Sequence, residues 1–403
     1  MKNRIIISLL LIFTVITVQA QKGWKQYRGP ERTAQVEGQL SPNAEGKIVP
    51  ELVWKKELGP GFSEINIDGN TVFTQYGEFL DSITGLEYLV ALNAYSGKEV
   101  WKTIVDSIYV EKDKWGDGPR STPAIDGNTI YCLSGLGNLV ALDKSNGKIK
   151  WTVDLSEKYG STMPRWGFSS SPIIINDMLI LEVGGTENRA VVAFNKANGE
   201  EIWTKGSGRS GYNSPLYTTI DGQKQLIFAI GGVLQSFTPA GDTLWKARIP
   251  IGNVIAMPIQ ISEKRFYLSN AGRGYLIADL EAGALKEVKK GMTMKNDFMT
   301  SVLYDGYIYG YHIAALKCLD PETGETKWQK RGFGKGSLMM VGDKLVILSD
   351  KGKLAIANAT PEAYQEVGSV QAMDRSRAWT SPSYDQGMIY VRNLKEIACY
   401  KLK

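Results

Sequence analysis

The chain has 403 residues, a formal net charge of +5, 22% charged and 43% hydrophobic residues. So mild a positive balance argues against a dedicated nucleic-acid binder, and the length suits two or three ordinary domains unless the chain is one repeat array. A single histidine, His312, and three scattered cysteines, Cys132, Cys318 and Cys399, exclude a His-rich zinc site, a two-His-one-carboxylate iron site and a disulfide framework within one chain.

Residues 1–20 read as a signal peptide. Lys2 and Arg4 precede an apolar stretch from Ile5 to Val18, and Val18-Gln19-Ala20 supplies a small-x-small cleavage pattern. The stretch is short for a membrane span and no later one is longer, so no span is expected. No Cys follows it, so no lipid anchor is expected. These features predict an exported monomer that starts near Gln21 and resides in the periplasm, with secretion as the alternative. Residues 21–50 then form an N-terminal extension before a repeat region, 51–403.

An eleven-residue motif carries the repeat: a small residue first, Gly seventh and Trp last. Its copies are Ala91–Trp101, Ala141–Trp151, Ala193–Trp203 and Cys318–Trp328, with Ser236–Trp245 one residue shorter. Apolar residues before each turn suit a strand, Asp, Asn, Ser and Gly make the turn, and the Trp can bury a large surface against the next repeat. A second pattern precedes each copy. Ser121-Thr122-Pro123-Ala124-Ile125, then Asp126-Gly127-Asn128, then Thr129–Leu133 reads as strand, tight hairpin, strand. It recurs around Asn66, Ser171, Ser214, Ser301 and Ser381.

Each unit therefore predicts four short antiparallel strands. Trp54, Trp101, Trp151, Trp203 and Trp245 are spaced roughly 42 to 52 residues apart, the length of a propeller blade. Residues 257–285 and 338–367 are weaker copies without the Trp. The fold class is all-β: one β-propeller of eight four-stranded antiparallel blades, with seven as the alternative. The last repeat, from Trp379 to Leu402, supplies only three strands. Leu52–Lys56 is expected to complete it and join the two ends of the chain.

Most polar candidates have plain readings. Cys318 and Cys399 fall at the small position of the third strand, and Cys132 lies in an apolar strand, so all three read as packing. His312 has no G-x-S-x-G nucleophile elbow to serve. The glycine-rich stretches 206–209 and 332–336 do not lie between a strand and a helix, so they read as interblade loops. Asp68, Asp126, Asp221 and Asp305 recur at one hairpin position, and no metal site is predicted from them.

One constellation stands apart. Each loop from the fourth strand of one blade to the first of the next ends beside the axis, and several carry Arg and aromatic residues there. The set comprises Trp115, Arg120, Arg165, Trp166, Arg209, Tyr212, Asn296, Asp297, Arg377 and Trp379. These predict a ligand-binding funnel in which Arg forks take anions and aromatic faces take rings or sugars. The alternative is that these loops only pack and solvate that face.

The Trp repeats resemble the tryptophan-docking repeats of PQQ-like propellers, the family of quinoprotein dehydrogenases and of BamB-like outer-membrane assembly lipoproteins. Trp24-Lys25-Gln26-Tyr27-Arg28-Gly29-Pro30 likewise resembles the W-x-Q-[FWY]-R-G-P start of bacterial PQQ-like propellers of unassigned role. The resemblance implies an exported binding or scaffold module for an envelope protein segment, or for an anionic small molecule or glycan. It implies as second reading a PQQ-binding oxidoreductase acting on sugars or alcohols. There the quinone would stack on Trp166 or Trp379, and Asn296 and Asp297 would supply a base and a Ca²⁺ site. The adjacent Cys-Cys pair of the quinoprotein alcohol dehydrogenases is missing here, as is the anchor Cys of BamB. A propeller-borne glycan lyase or hydrolase is the third reading, with no acid/base pair to name.

Overall fold

The computed structural model describes residues 23–402, so the expected signal segment lies outside the described residues. In the first blade Asn66–Asp68, Thr71–Phe79, Gly85–Asn93 and Glu99–Ser107 pair antiparallel in that order, from the axis outward. Six further blades span residues 124–154, 173–205, 216–248, 259–291, 302–330 and 337–371. The eighth uses Ser383–Asp385, Met388–Arg392, Glu396–Leu402 and, as its outer strand, Pro50–Glu57. The described strands thus close an eight-bladed ring, and both repeats lacking the Trp are complete blades. Leu155–Tyr159 is the single helix among the described residues.

The Trp motif works as a seam between neighbours. Within a blade the Trp faces the small residue of the third strand: Trp101 opposite Ala91, Trp328 opposite Cys318, Trp54 opposite Cys399. Its indole then reaches the next blade. Nε1 of Trp54 donates to the Ala94 carbonyl at 2.7 Å, and those of Trp101, Trp151, Trp203 and Trp328 donate to the carbonyls of Lys144, Lys196, Pro239 and Thr360. The motif's glycine is required twice over. Gly97 has φ of 67°, and a Cβ there would stand 2.6 Å from the Trp54 ring. All three cysteines are buried and free, and burial pushes their thiols up, as packing residues require.

The axis is held differently. Side chains at the start of the inner strands bond to the backbone of the neighbouring blade. Glu64 N donates to Thr122 Oγ1, Thr122 N to Ser171 Oγ, Ser171 N to Ser214 Oγ and Met257 N to Thr300 Oγ1, all at 2.9–3.0 Å. These serines and threonines form a girdle around the channel.

The N-terminal segment fills that channel. Trp24 is fully buried and bridges to Ile67. Arg28 donates to the carbonyls of Thr300 and Ser301 in the sixth blade. Arg32 donates to those of Pro215 in the fourth blade and of Pro172 and Ser171 in the third. Gln35–Val36 adds a parallel strand inside the seventh blade, against Met340 and Val341. The chain then crosses to Ile48, whose N–H donates to Val367, before entering Pro50–Glu57.

Candidate functional site

In an up-and-down ring the connections between blades and the hairpins joining second to third strands emerge on one face. On this face the plug floors a cavity of about 320 Å³. Every interblade connection contributes to its wall. Phe62 and Glu64 come from the eighth-to-first connection, Trp115 and Arg120 from the next, then Trp166 and Ser169, Tyr212, Ile255, Asp297 and Phe298, Lys335, and lastly Trp379, with Tyr27 of the plug beneath.

The aromatic residues form two groups. Trp379 packs on Phe298 at 4.5 Å between ring centroids, on Phe62 at 5.7 Å and on Trp115 at 5.8 Å. Trp166 packs on Tyr212 at 5.0 Å, and the Tyr212 hydroxyl accepts from the Trp166 N–H.

Six of the ten residues expected in the funnel line this cavity: Trp115, Arg120, Trp166, Tyr212, Asp297 and Trp379. The arginines brace rather than offer open forks. Arg120 stacks on Phe62 and Tyr109 and donates to the carbonyls of Gly116 and Gly118. Arg165 is turned outward, its side chain 72% exposed and bidentate to Asp113, which also accepts from Trp166 Nε1. Arg377 lies over Trp115 and Trp379 and donates to the Lys114 and Trp115 carbonyls. Arg209 is exposed and outside the cavity lining.

Asn296 is also outside the lining. It is fully buried, accepts from the Tyr267 hydroxyl and donates to Ser301 Oγ and the Tyr311 carbonyl, which makes it a loop clamp. Asp297 is paired with Lys335 at 2.6 Å.

Sequence reasoning missed the floor. Glu64 is 2% exposed and accepts from Trp24 Nε1 and Arg28 N through Oε2, while Oε1 has no partner. Burial lifts its carboxyl to about 7, against the pull of the Arg28 N–H and the Arg28 charge. Burial also lowers Arg32 to about 10. The overlooked signal was position: Phe62 and Glu64 precede the first inner strand just as Trp166 and Tyr212 precede later ones.

The donor set does not suit a quinone held beside Ca²⁺. Of the two carboxylates in the wall, Asp297 is paired with Lys335, and Glu64 keeps only Oε1 open, its Oε2 accepting from Trp24 and Arg28. No group of three His, Cys, Asp or Glu able to hold a metal occurs among the described residues. The arginines that a flat tricarboxylate would need are bound to loop carbonyls or to Asp113.

Comparison with known proteins adds the lineage. A family profile described as outer membrane protein assembly factor BamB matches residues 85–330. The outer membrane protein assembly factor BamB of Moranella endobia is 24% identical over 361 residues, covering 86% of this chain and 78% of that protein. The quinoprotein alcohol dehydrogenase PedH of Pseudomonas putida is 32% identical over 169 residues, only 39% of this chain and 25% of that enzyme. Among solved structures, BamB from Moraxella catarrhalis aligns with a TM-score of 0.63 at 14% identity, covering 88% of this chain and 98% of that one. Quinohemoprotein alcohol dehydrogenase ADHIIG from Pseudomonas putida aligns at 0.68 and 12% identity, over 94% and 80%. At such identities the structural likeness speaks for the fold alone.

Proposed function

For a chain that belongs to the propeller family described as outer membrane protein assembly factor BamB, we propose the role of an exported periplasmic scaffold that acts as a monomer and holds a segment of an envelope protein on its funnel face. One observation carries this reading: the exposed large apolar side chains of that face. Leu80 and Ile83, 68% and 73% exposed, cap a first-blade hairpin whose two strands run nine residues each. The Asp81 carboxylate accepts from Ile83 N, Thr84 N and Thr84 Oγ1 at 2.6–2.8 Å, so the tip is preorganised. Trp115, Met163, Met292 and Ile313 are exposed in other connections of the same face. On the opposite face the hairpin turns are polar, and Tyr95 is the exposed large apolar residue of its described turns. A preorganised apolar tip, with further exposed apolar side chains on the same face, suits an interaction surface.

Site-specific photocrosslinking in the cell envelope tests the reading. A photoreactive residue at Ile83 or Met163 is expected to give a discrete protein adduct, and one at Tyr95 none. Equal labelling from both faces would sink the proposal. The quinoprotein reading draws support from the dehydrogenase relatives but none from the cavity's donor set. PQQ with Ca²⁺ is accordingly expected to leave the tryptophan emission of the purified protein unchanged, and a saturable change would restore the redox reading.

A further inference from the structure

The cavity behind this face has features that docking of a protein segment does not use. Three polar atoms in its lining residues are buried and unpartnered: Glu64 Oε1, Ser169 Oγ and Trp379 Nε1. Glu64 is itself 2% exposed. Buried donors and acceptors of this kind cost stability unless something bonds to them. An indole N–H needs an acceptor, a carboxyl oxygen needs a donor, and a serine hydroxyl takes either. A bare aromatic side chain from a partner would satisfy none of them.

The rest of the wall is aromatic. Trp379 with Phe62 and Phe298, and Trp166 with Tyr212, present ring faces to the same space. Such faces suit flat C–H surfaces as well as rings. We propose that this blind cavity is a carbohydrate site that takes one neutral hexopyranose ring, with its C–H faces against the aromatic groups and its hydroxyls bonded to Glu64, Ser169 and Trp379.

Charge and volume fix the class. An acidic sugar or a phosphate would meet the Glu64 and Asp297 carboxyls, while Lys335 is paired with Asp297 and the Arg120 guanidinium bonds loop carbonyls. Hydroxyls both donate and accept, so they suit a wall whose charges are already matched. A volume of about 320 Å³ is small for a ligand cavity, and Tyr27 closes it below. One ring fits, and any remaining glycan leaves through the mouth.

The test is titration of the mature protein, followed by tryptophan emission, with the methyl glycosides of glucose, mannose, galactose and N-acetylglucosamine. Glucuronate and tyrosine amide form the competing arms. Saturable binding of at least one neutral glycoside at or below about 10 mM is expected. Trp379→Ala and Glu64→Gln should each weaken it by about tenfold, the worth of one stacked face or one buried hydrogen bond. Phe298→Ala, at the wall and away from the plug, gives a second reading if Glu64→Gln unfolds. Ile83→Ser should leave sugar binding untouched, which separates failure here from failure of the docking hairpin. Silence from all four glycosides, a response to glucuronate or tyrosine amide alone, or binding indifferent to Trp379 and Phe298 would each overturn the proposal.

Discussion

At the rim of the ring, an indole crosses to the next blade, lies on its turn glycine and bonds its carbonyl, as with Trp54 on Gly97 and Trp101 on Gly147. At the axis, two guanidiniums from one short segment bond carbonyls of the third, fourth and sixth blades. The rim is repeated, largely apolar and shared among many copies. The axis is singular, polar and charged. Losing one rim contact loosens one seam, whereas losing Arg32 leaves carbonyls of two blades unpaired at once.

The largest expected effect follows from that difference. Arg32→Ala removes donors from Pro215, Pro172 and Ser171 and leaves those buried oxygens bare. A loss of about 4 kcal/mol is expected in urea unfolding, and Arg32→Lys should recover little because a compact ammonium lacks the planar spread of donors that reaches carbonyls of two blades. Trp54→Ala should cost about 3 kcal/mol. It removes the 2.7 Å bond to Ala94 and the packing on Gly97 at the seam between the first and last blades. If the tryptophan variant proved the more damaging, ring closure rather than the plug would dominate stability.

The same contrast explains what could be read in advance. The rim is written four times as a small residue, Gly and Trp at fixed offsets, and a fifth time one residue shorter, so blade number and the packing role of Cys318 and Cys399 were legible. The blades without the Trp were read only as weaker copies over 257–285 and 338–367, which left seven blades as the alternative. The plug has no second copy. Arg28 stood out only as part of the Trp24–Pro30 start motif and Arg32 not at all, since their partners are backbone carbonyls more than a hundred positions away. The funnel lay between these cases. Loop position singled out Trp115, Trp166, Tyr212 and Trp379, and all four line the cavity. It did not reveal that Arg165 would turn to Asp113 or that Asn296 would be spent on Tyr267, Ser301 and Tyr311.

Glu64 offers a titration of the axis alone. Its folded carboxyl sits near 7, above the ordinary value of 4.5. A carboxyl raised in the fold contributes its stability below the unfolded value and loses it as pH rises through the folded one. Unfolding free energy should therefore fall between about pH 4.5 and 7, and Glu64→Gln should remove roughly 3 kcal/mol of that fall. Glu87, raised to about 7, and Glu182, raised to about 8, lie outside the plug and should keep the rest of the slope. A Gln variant with the full wild-type slope would mean that Glu64 does not titrate in this range.

The smallest effect is expected where the rim departs from its own rule. Trp245 is only half-buried, and its Nε1 donates at 2.9 Å to Gln225 within its own blade rather than across the seam. Only its Cβ approaches the space beside Gly283. The fifth blade has no tryptophan there, and Lys289 takes over by donating to the Thr323 carbonyl of the sixth blade at 2.6 Å. Trp245→Ala should therefore cost about 1 kcal/mol, well under Trp54→Ala, because no intersubsheet bond is lost. Hydrogen exchange should find the outer strand Thr243–Arg248 opening before the outer strand Glu99–Ser107, whose Trp101 does bond its neighbour. Equal protection of the two strands would show that the indole-to-carbonyl bond contributes little, and that ring burial alone seals the rim.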